Sequence, residues 1–216
     1  IKKFYKDQVD EQKLLKLNGK LFISRERIDA IQEAEEANFD VAILDDGLQD
    51  NTIKFDKTFV CFNNVNWIGN GLTLPAGPLR ENICSLKEYN NIFLNGNDEN
   101  TYSLKDIFIK KNMNLNFYDA KYEIENLDKI NKEENYVVFS GIGNHSTFID
   151  TLKKNKIKII KEIEYPDHYN YSNNDLDEIL QIAKSKNLKI LTTEKDYIRI
   201  NHIYQKSIDF VKVFLK

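Results

Sequence analysis

Short apolar runs alternate with helical segments along this chain, and the alternation constrains its fold more than any other feature. Helical periodicity predicts helices over 9–18, 27–38, 146–155 and 175–186. Apolar runs rich in Val, Ile and Phe predict strands over 21–24, 39–44, 58–62, 136–140, 156–164 and 188–192, with shorter candidates at 92–94 and 107–110. Strands that alternate with helices favour parallel sheets covered by helices, so we predict an α/β fold.

The alternation falls into two blocks, which predict two α/β lobes. We expect domains over 1–118 and 119–205, followed by a tail over 206–216. The stretch 110–135 is rich in Asn and Lys and is interpreted as a linker.

Composition excludes several classes of protein. The 216 residues are 41% hydrophobic, which is enough for a core and argues against a disordered chain. A net charge of -3 argues against a dedicated nucleic-acid binder, so no nucleic-acid partner is expected. Cys61 and Cys84 are too few for a disulfide framework and are expected to be small buried residues. No apolar run is long enough to span a membrane, and no signal peptide is recognisable. The start at Ile1 is consistent with a fragment or a processed product.

Glycine, proline and arginine are scarce, and their positions point to the functional segments. The chain has 8 Gly and 3 Pro, and its arginines are Arg25, Arg27, Arg80 and Arg199. All the prolines and most of the glycines fall in four short segments. We therefore expect these segments to carry the chemistry.

The segment 41–49, VAILDDGLQ, is the sharpest of them. A predicted buried strand delivers Asp45 and Asp46 to its carboxyl end, where ligands bind in open α/β sheets. Paired carboxylates supply the hard oxygen ligands that Mg²⁺ requires. The alternative is an ordinary turn, because Asp-Gly is common at such boundaries.

The segment 69–82, GNGLTLPAGPLREN, predicts a stiffened loop that ends in the charged pair Arg80-Glu81. An arginine fork matches phosphate oxygens. An exposed loop with a surface ion pair explains the same residues equally well.

Three further segments lie in the second block. The segment 139–148, FSGIGNHSTF, could seat an anion at a helix start, although a plain strand-to-helix turn is favoured. The segment 164–172, EYPDHYNYS, places His168 beside a carboxylate and suits proton transfer, or holds an ordinary hydrogen-bonded histidine. The segment 190–200, ILTTEKDYIRI, taken alone is a strand followed by a capped helix.

The five segments in this order resemble the tetraacyldisaccharide 4′-kinases, the lipid A kinases of Gram-negative bacteria. VDEQKLL at 9–15 is similar to the family's Gly-Asp-Glu-Pro-Leu-Leu segment, with Val9 and Gln12 in place of its glycine and proline. The resemblance covers nearly the whole chain.

The resemblance implies transfer of the γ-phosphoryl group of ATP, with Mg²⁺, to the 4′-hydroxyl of a lipid disaccharide 1-phosphate. It implies a P-loop-kinase-like parallel sheet with a second, smaller α/β lobe. It also implies work at the cytoplasmic face of the inner membrane, peripherally in this form, or in the cytoplasm.

The resemblance assigns roles residue by residue. Asp45 and Asp46 would hold the Mg²⁺–nucleotide end, and Asp10 would be the base-side carboxylate, paired with His168. The remaining matched positions would lie around the phosphates and the substrate: Glu11, Arg27, Gln49, Asn70, Arg80 and Glu81.

One element of the resemblance is missing from these residues. The family carries a Walker A loop and a membrane helix upstream of its Asp-Glu segment, and no G-x-x-x-x-G-K-[ST] occurs in the 216 residues. We therefore expect negligible kinase activity from this chain alone, with the missing part supplied in cis or in trans. Two alternatives stay open: a non-catalytic remnant that binds a lipid or a partner, and a Mg²⁺-dependent phosphohydrolase that uses Asp45 and Asp46.

Overall fold

The computed structural model describes residues 1–3, 9–63, 68–95, 105–108 and 114–216. It describes the backbone alone for Val9, Asp10, Glu11, Asn18 and Asn63. The chain forms two compact units: unit 1 comprises Ile1–Lys54 and Glu125–Lys212, and unit 2 comprises Phe55–Ile124 and Val213–Lys216. These units group the residues differently from the domains 1–118 and 119–205, whose boundaries stay a prediction.

A four-stranded parallel sheet forms the centre of unit 1, as the alternating pattern predicts. Its strands are Asn135–Ser140 (β7), Lys158–Glu164 (β8), Lys189–Thr193 (β9) and Asp209–Val211 (β10). They lie in the order β10-β9-β7-β8. The helices of this part are His145–Lys154 (α4), Asn173–Ser185 (α5), Glu194–Arg199 (α6) and His202–Gln205 (α7), with a 3-10 helix at Leu127–Lys129. The predicted helices and strands of this region are confirmed to within a few residues.

The core of this sheet lies between its central strands and α5. Val137 and Phe139 project from one face of β7, because alternate residues of a strand share a face, and they pack against Leu176 and Ile179 of α5. A capping box starts α5: the Ser172 hydroxyl accepts from the Asp175 backbone N–H, and the Asp175 carboxylate accepts from Ser172. The helix therefore begins at a fixed point beside the loop 164–172.

The first residues of the chain join the same unit. They form β1 (Lys2–Lys3), α1 (Val9–Asn18), β2 (Ile23–Ser24) and α2 (Arg27–Glu36). The strands β1 and β2 pair in parallel, and α1 packs against α6. Ala30 and Ala34 bury one side of α2.

The prediction of a buried strand over 39–44 is wrong. This segment is assigned no strand, and Val41 and Ile43 are 75% and 80% exposed. Its start is tied to α2, because Phe39 N–H donates to Ala34 O, and its end is tied to Ile1: the Ile1 nitrogen donates to Ile43 O, and Asp45 N–H donates to Ile1 O. The apolar run is present, but these few backbone hydrogen bonds do not make a strand of it, and most of its apolar side chains stay exposed.

Unit 2 contains a second parallel sheet, of three strands. Its strands are Val60–Asn63 (β3), Asn91–Asn95 (β4) and Asn116–Ala120 (β5), in the order β3-β4-β5. A separate antiparallel pair joins β6 (Tyr122–Ile124) to β11 (Val213–Leu215). A 3-10 helix covers Ile83–Glu88, and residues 105–108 are helical (α3).

Three predictions for this unit are wrong. The segment predicted as a strand over 107–110 is helical where it is described. Phe108 lies in this helix and is fully buried against Ile92 and Leu94 of the sheet. The linker over 110–135 contains β5 and β6. Cys61 and Cys84 are both exposed.

Together the two parallel sheets and their helices confirm the α/β class. None of the helices within the described ranges has the length and apolar character needed to cross a membrane.

Candidate functional site

Asp45 and Asp46 lie in a tight turn at the end of the extended segment 39–44. Asp46 has a φ of 51°, in the left-handed region that Asp tolerates better than most residues, and Gly47 is buried. Both aspartates are exposed. The turn therefore presents two neighbouring carboxylates at the surface, although no buried strand delivers them.

Arg27 binds the backbone carbonyls of this turn. Its side chain is 7% exposed, and its guanidinium donates to Asp45 O at 3.2 Å and to Asp46 O at 2.7 Å. It also pairs with the Asp50 carboxylate at 3.4 Å. Hydrogen bonds from Thr52, together with Arg27, lower the pKa of Asp50. This placement favours a role for Arg27 in shaping the turn over direct contact with phosphate.

A lysine neutralises one of the two carboxylates. Lys2 Nζ lies 2.8 Å from Asp45 Oδ2, and the lysine side chain is buried while that of Asp45 is 49% exposed. Gln49 follows the turn and is exposed. Among the described side chains, no three His, Cys, Asp or Glu residues gather into a group that could hold a metal ion.

Asp10 and Glu11 lie in the first turn of α1, where the structure describes only the backbone. Their side-chain roles therefore stay predictions. The helix that carries Asp10, α1, packs against α6, which carries Lys195.

His168 lies beside two charged residues in unit 1. Its Nε2 is 3.4 Å from Lys195 Nζ and 3.9 Å from Asp167 Oδ2. Lys195 Nζ is also 4.0 Å from Asp167 Oδ1. The His168 backbone has a φ of 57°, and its N–H donates to Gly141 O at 3.1 Å. The loop thus brings an imidazole, a carboxylate and an ammonium together.

A buried ion pair anchors this loop to the sheet. Asp196 has no exposed surface, and it pairs with Arg199, whose side chain is 7% exposed. Asp196 Oδ1 accepts from the Gly141 backbone at 3.0 Å and from the Tyr171 hydroxyl at 2.8 Å, while Oδ2 accepts from the Thr193 hydroxyl at 2.6 Å. Burial and the adjacent Asp196 carboxylate raise the pKa of Tyr171 well above its ordinary value.

Arg199 completes the anchor from the other side. Its guanidinium donates to Gly141 O at 2.8 Å and to Tyr169 O at 3.3 Å. The segments 139–148, 164–172 and 190–200 therefore meet at one network. Arginine is rare in the chain, so the sequence draws attention to Arg199. It does not indicate which loops Arg199 and Asp196 connect.

The loop 69–82 belongs to unit 2 and folds back on itself. The Asn70 side chain donates to Ala76 O at 2.8 Å and accepts from the Leu72 backbone at 3.1 Å. A Cβ at Gly77 would collide with Asn70 Oδ1 and Leu72 O, so glycine is required there. Asn70 therefore braces the loop from inside.

The two charged residues at the end of this loop differ in their exposure. Arg80 is exposed. Glu81 is half-buried next to Tyr89, where burial and the Glu81 carboxylate raise the pKa of the tyrosine. The predicted site residues thus fall into two sets, one in unit 1 and one in unit 2.

Comparison with known proteins agrees with the resemblance found in the sequence. A family model described as Tetraacyldisaccharide-1-P 4′-kinase matches residues 5–216. A protein of Pelagibacter ubique (strain HTCC1062) named Tetraacyldisaccharide 4′-kinase is 57% identical over 212 residues, which are 98% of this chain and 68% of that protein. A protein of the same name from Rickettsia typhi is 33% identical over 92% of this chain and 60% of its own length.

A solved structure supports the fold. The crystal structure of LpxK from Aquifex aeolicus in complex with ATP matches with a TM-score of 0.56 at 23% identity, over 90% of this chain and 59% of that one. The chain accordingly spans between 60% and 68% of the length of the two relatives named above.

Proposed function

The chain belongs to the tetraacyldisaccharide 4′-kinase family, and from this premise we propose that it is part of a lipid A kinase. The reaction is transfer of the γ-phosphoryl group of ATP to the 4′-hydroxyl of a tetraacyldisaccharide 1-phosphate. Because the acceptor is a lipid, we place the work at the cytoplasmic face of the inner membrane. The remainder of the catalytic machinery belongs to the part of the relatives that this chain does not match.

The packing of α1 against α6 is the observation that carries this proposal. It joins the helix that bears Asp10 to the helix whose Lys195 lies beside His168. The sequence resemblance pairs Asp10 with His168, and the packing of these two helices supports that pairing. A carboxylate next to an imidazole is a suitable acceptor for a hydroxyl proton.

The turn at Asp45 and Asp46 fits a magnesium ion. Mg²⁺ is commonly bound through one or two carboxylates and substrate phosphates, and it keeps several waters. Two exposed carboxylates on a turn held by Arg27 supply that donor set, and Lys2 balances one of their charges. When bound, the ion would neutralise charge on the phosphates of the nucleotide.

The chemical step is an in-line displacement. The 4′-hydroxyl oxygen forms a bond to the γ-phosphorus, the bond from that phosphorus to the β–γ bridging oxygen breaks, and ADP leaves. The hydroxyl proton passes to the Asp10 carboxylate, with His168 beside it. Such a reaction depends mainly on positioning and on neutralisation of charge, so the residues act chiefly as rigid supports.

The second set of predicted residues is proposed to contact the phosphates and the substrate. Arg80 is exposed and offers a planar fork that matches phosphate oxygens, and Asn70 braces the loop that carries it. Glu81 keeps the position near the phosphates that the resemblance gives it. Gln49 and Glu11 keep the roles that the resemblance gives them, next to the carboxylate turn and on α1.

A chimera tests the proposed function directly. The 216-residue chain is joined to the part of the Pelagibacter ubique relative that it does not match, and transfer of labelled phosphate from ATP to the tetraacyldisaccharide 1-phosphate is measured. We expect the chimera to make the 4′-phosphorylated product and the chain alone to make almost none, because these residues contain no Walker A sequence.

Two variants of the chimera test whether the reaction depends on the carboxylate turn in particular. Asp46→Asn should lower the rate by about 100-fold or more, since a lost metal contact removes several kcal/mol of charge stabilisation. Asp40→Asn, an exposed carboxylate of the same segment, should leave the rate unchanged. A folded chimera without transfer, or phosphate release from simple esters that Asp45→Asn abolishes, would overturn the proposal.

A further inference from the structure

Leu72 and Leu74 lie on the loop 69–82 with their large apolar side chains 52% and 66% exposed. We propose that this leucine pair contacts an acyl chain of the lipid acceptor and so favours acylated substrates. The inference rests on the proposed function for its place in the reaction, whereas the contact itself can be tested without phosphoryl transfer.

The backbone of the loop fixes the leucine pair at the surface. Leu74 N–H donates to Leu79 O at 2.9 Å, and Leu79 N–H donates to Leu72 O at 3.2 Å, which are the two hydrogen bonds of a short parallel bridge. The Asn70 side chain also accepts from Leu72 N–H at 3.1 Å. The backbone of both leucines is therefore held, and neither can turn inward unless these hydrogen bonds break.

Other apolar residues of this region anchor it to unit 2. Ile68 and Leu79 are partly buried and pack against the core that contains Ile83 and Ile92. The leucine pair is exposed and lies outside that core. Contact with an apolar ligand would remove its side chains from water, which is favourable.

The sequence around the leucine pair carries no charge. Residues 58–79 contain no Asp, Glu, Lys or Arg, in a chain in which these residues make up 30%. Pro75 and Ala76, which follow the pair, are exposed as well. Adjoining exposed apolar residues mark binding sites more often than isolated ones do. The loop therefore suits an apolar partner.

Arg80 indicates which apolar partner fits. The parallel bridge joins Thr73 to Leu79, so the next residues in register are Leu74 and Arg80, on the same side of the bridge. Arg80 is exposed, and the proposed function places it at the phosphates. An apolar side chain next to a guanidinium matches a molecule that carries an acyl chain and a phosphate together, as the acceptor lipid does.

Photolabelling of the 216-residue chain tests the contact without any activity. A tetraacyldisaccharide 1-phosphate with a diazirine in one acyl chain is irradiated with the chain in detergent micelles, and tryptic peptides are analysed by mass spectrometry. Trypsin cleaves after Lys57 and Arg80, so residues 58–80 form one peptide that contains the leucine pair. We expect label in this peptide, and we expect excess unmodified acceptor to prevent it.

Two comparisons identify what the leucine pair binds. A phospholipid with the same diazirine should label the peptide far less than the acceptor does, because it lacks the disaccharide 1-phosphate. Leu72→Gln combined with Leu74→Gln should reduce labelling by the acceptor about 10-fold or more, since each lost apolar contact lowers affinity several-fold. Ile203→Gln, at a residue of α7 that is 66% exposed, should label as the parent does.

Steady-state kinetics of the chimera then test the role of the contact in the reaction. The double leucine variant should raise KM for the tetraacyl acceptor by about 10-fold or more and leave kcat unchanged, because the contact binds the ground state and the transition state equally. KM for an acceptor without acyl chains should be the same in the chimera and its double variant.

The outcomes are separable from those of the proposed function. Absence of label from the peptide 58–80 would overturn the inference, and equal labelling by the phospholipid would show a site for bilayer lipid instead. An active chimera whose KM is unchanged in the double variant would also overturn it. If the loop is labelled as expected but the chimera transfers no phosphate, the contact stands and the proposed function fails.

Discussion

Two loops of unit 1 carry predicted site residues, and each is held by a buried arginine. Arg27 binds the backbone carbonyls of the turn that presents Asp45 and Asp46. Arg199 binds the carbonyls of Gly141 and Tyr169, in the two loops around His168. In both places the guanidinium spans several acceptors at once, which a lysine ammonium could not do with the same fixed geometry.

The two loops differ in what surrounds the arginine. Arg199 pairs with Asp196, which is fully buried beside the core of β7, β9 and α5. Arg27 pairs with the 14% exposed Asp50, next to a segment in which Val41 and Ile43 are largely exposed. A buried arginine that binds backbone carbonyls is therefore part of the core in one loop and a local support of the turn in the other. We therefore expect unequal consequences when each is removed.

Removal of Asp196 should have the largest effect. Asp196→Ala leaves the Arg199 guanidinium buried without its counter-charge, which should cost about 3–5 kcal/mol of the free energy of unfolding. Denaturant unfolding of the two proteins measures this loss. Asp150→Ala, an exposed aspartate on α4, should stay within about 0.5 kcal/mol of the parent. A loss below about 1 kcal/mol for Asp196→Ala would contradict a structural role for the buried pair.

Removal of the Arg27 guanidinium should have a smaller and more local effect. Arg27→Met keeps the buried stem and leaves the carbonyls of the turn unpaired, at a cost of about 1–3 kcal/mol. Amide hydrogen exchange over 45–50 should accelerate, while exchange in β7 should change little, because the turn lies outside the sheet core. The control is Arg25→Met, an exposed arginine two residues away. Unchanged exchange over 45–50 would show that Arg27 does not hold the turn.

The start of α5 should give the smallest effect, and one that depends on pH. Ser172→Ala removes the cap and should cost about 1 kcal/mol at neutral pH. Hydrogen bonds from Ser172 lower the pKa of Asp175, so its contribution to stability is complete above the unfolded value of about 3.9. That contribution is lost as pH falls through the lowered value of the folded chain.

The pH series provides its own check. The difference in unfolding free energy between the parent and Ser172→Ala should be constant from neutral pH to about pH 5 and should shrink in more acidic solution. Ser185→Ala, at the other end of α5, should show no such trend. A difference that stays constant through the acidic range would remove the charged Asp175 from the capping interaction.

Much of unit 1 could be predicted from the sequence because its elements are regular and self-supporting. The apolar residues of α5 recur at helical spacing, and the run in β7 is apolar enough to be a central strand. The segment 39–44 has the same apolar character, yet it is not a buried strand, because strand formation depends on neighbours that periodicity does not report.

The candidate site divides in the same way. Asp45, Asp46 and His168 could be singled out from short motifs, since each follows an apolar run or a proline. The contact of Lys195 with His168 and the anchoring of three loops by Asp196 join residues that are distant in the chain. Only the fold brings those residues together, so no spacing in the sequence could show them.

A double-mutant cycle in the chimera tests the central claim, that packing of α1 against α6 makes Asp10 and His168 one catalytic unit. Asp10→Asn and His168→Gln should each lower kcat by about 100-fold or more, as loss of acid–base catalysis does. If the two residues act as a unit, the double variant should be little slower than the slower single variant. Rate losses that multiply in the double variant would contradict the claim, because independent sites combine additively in free energy.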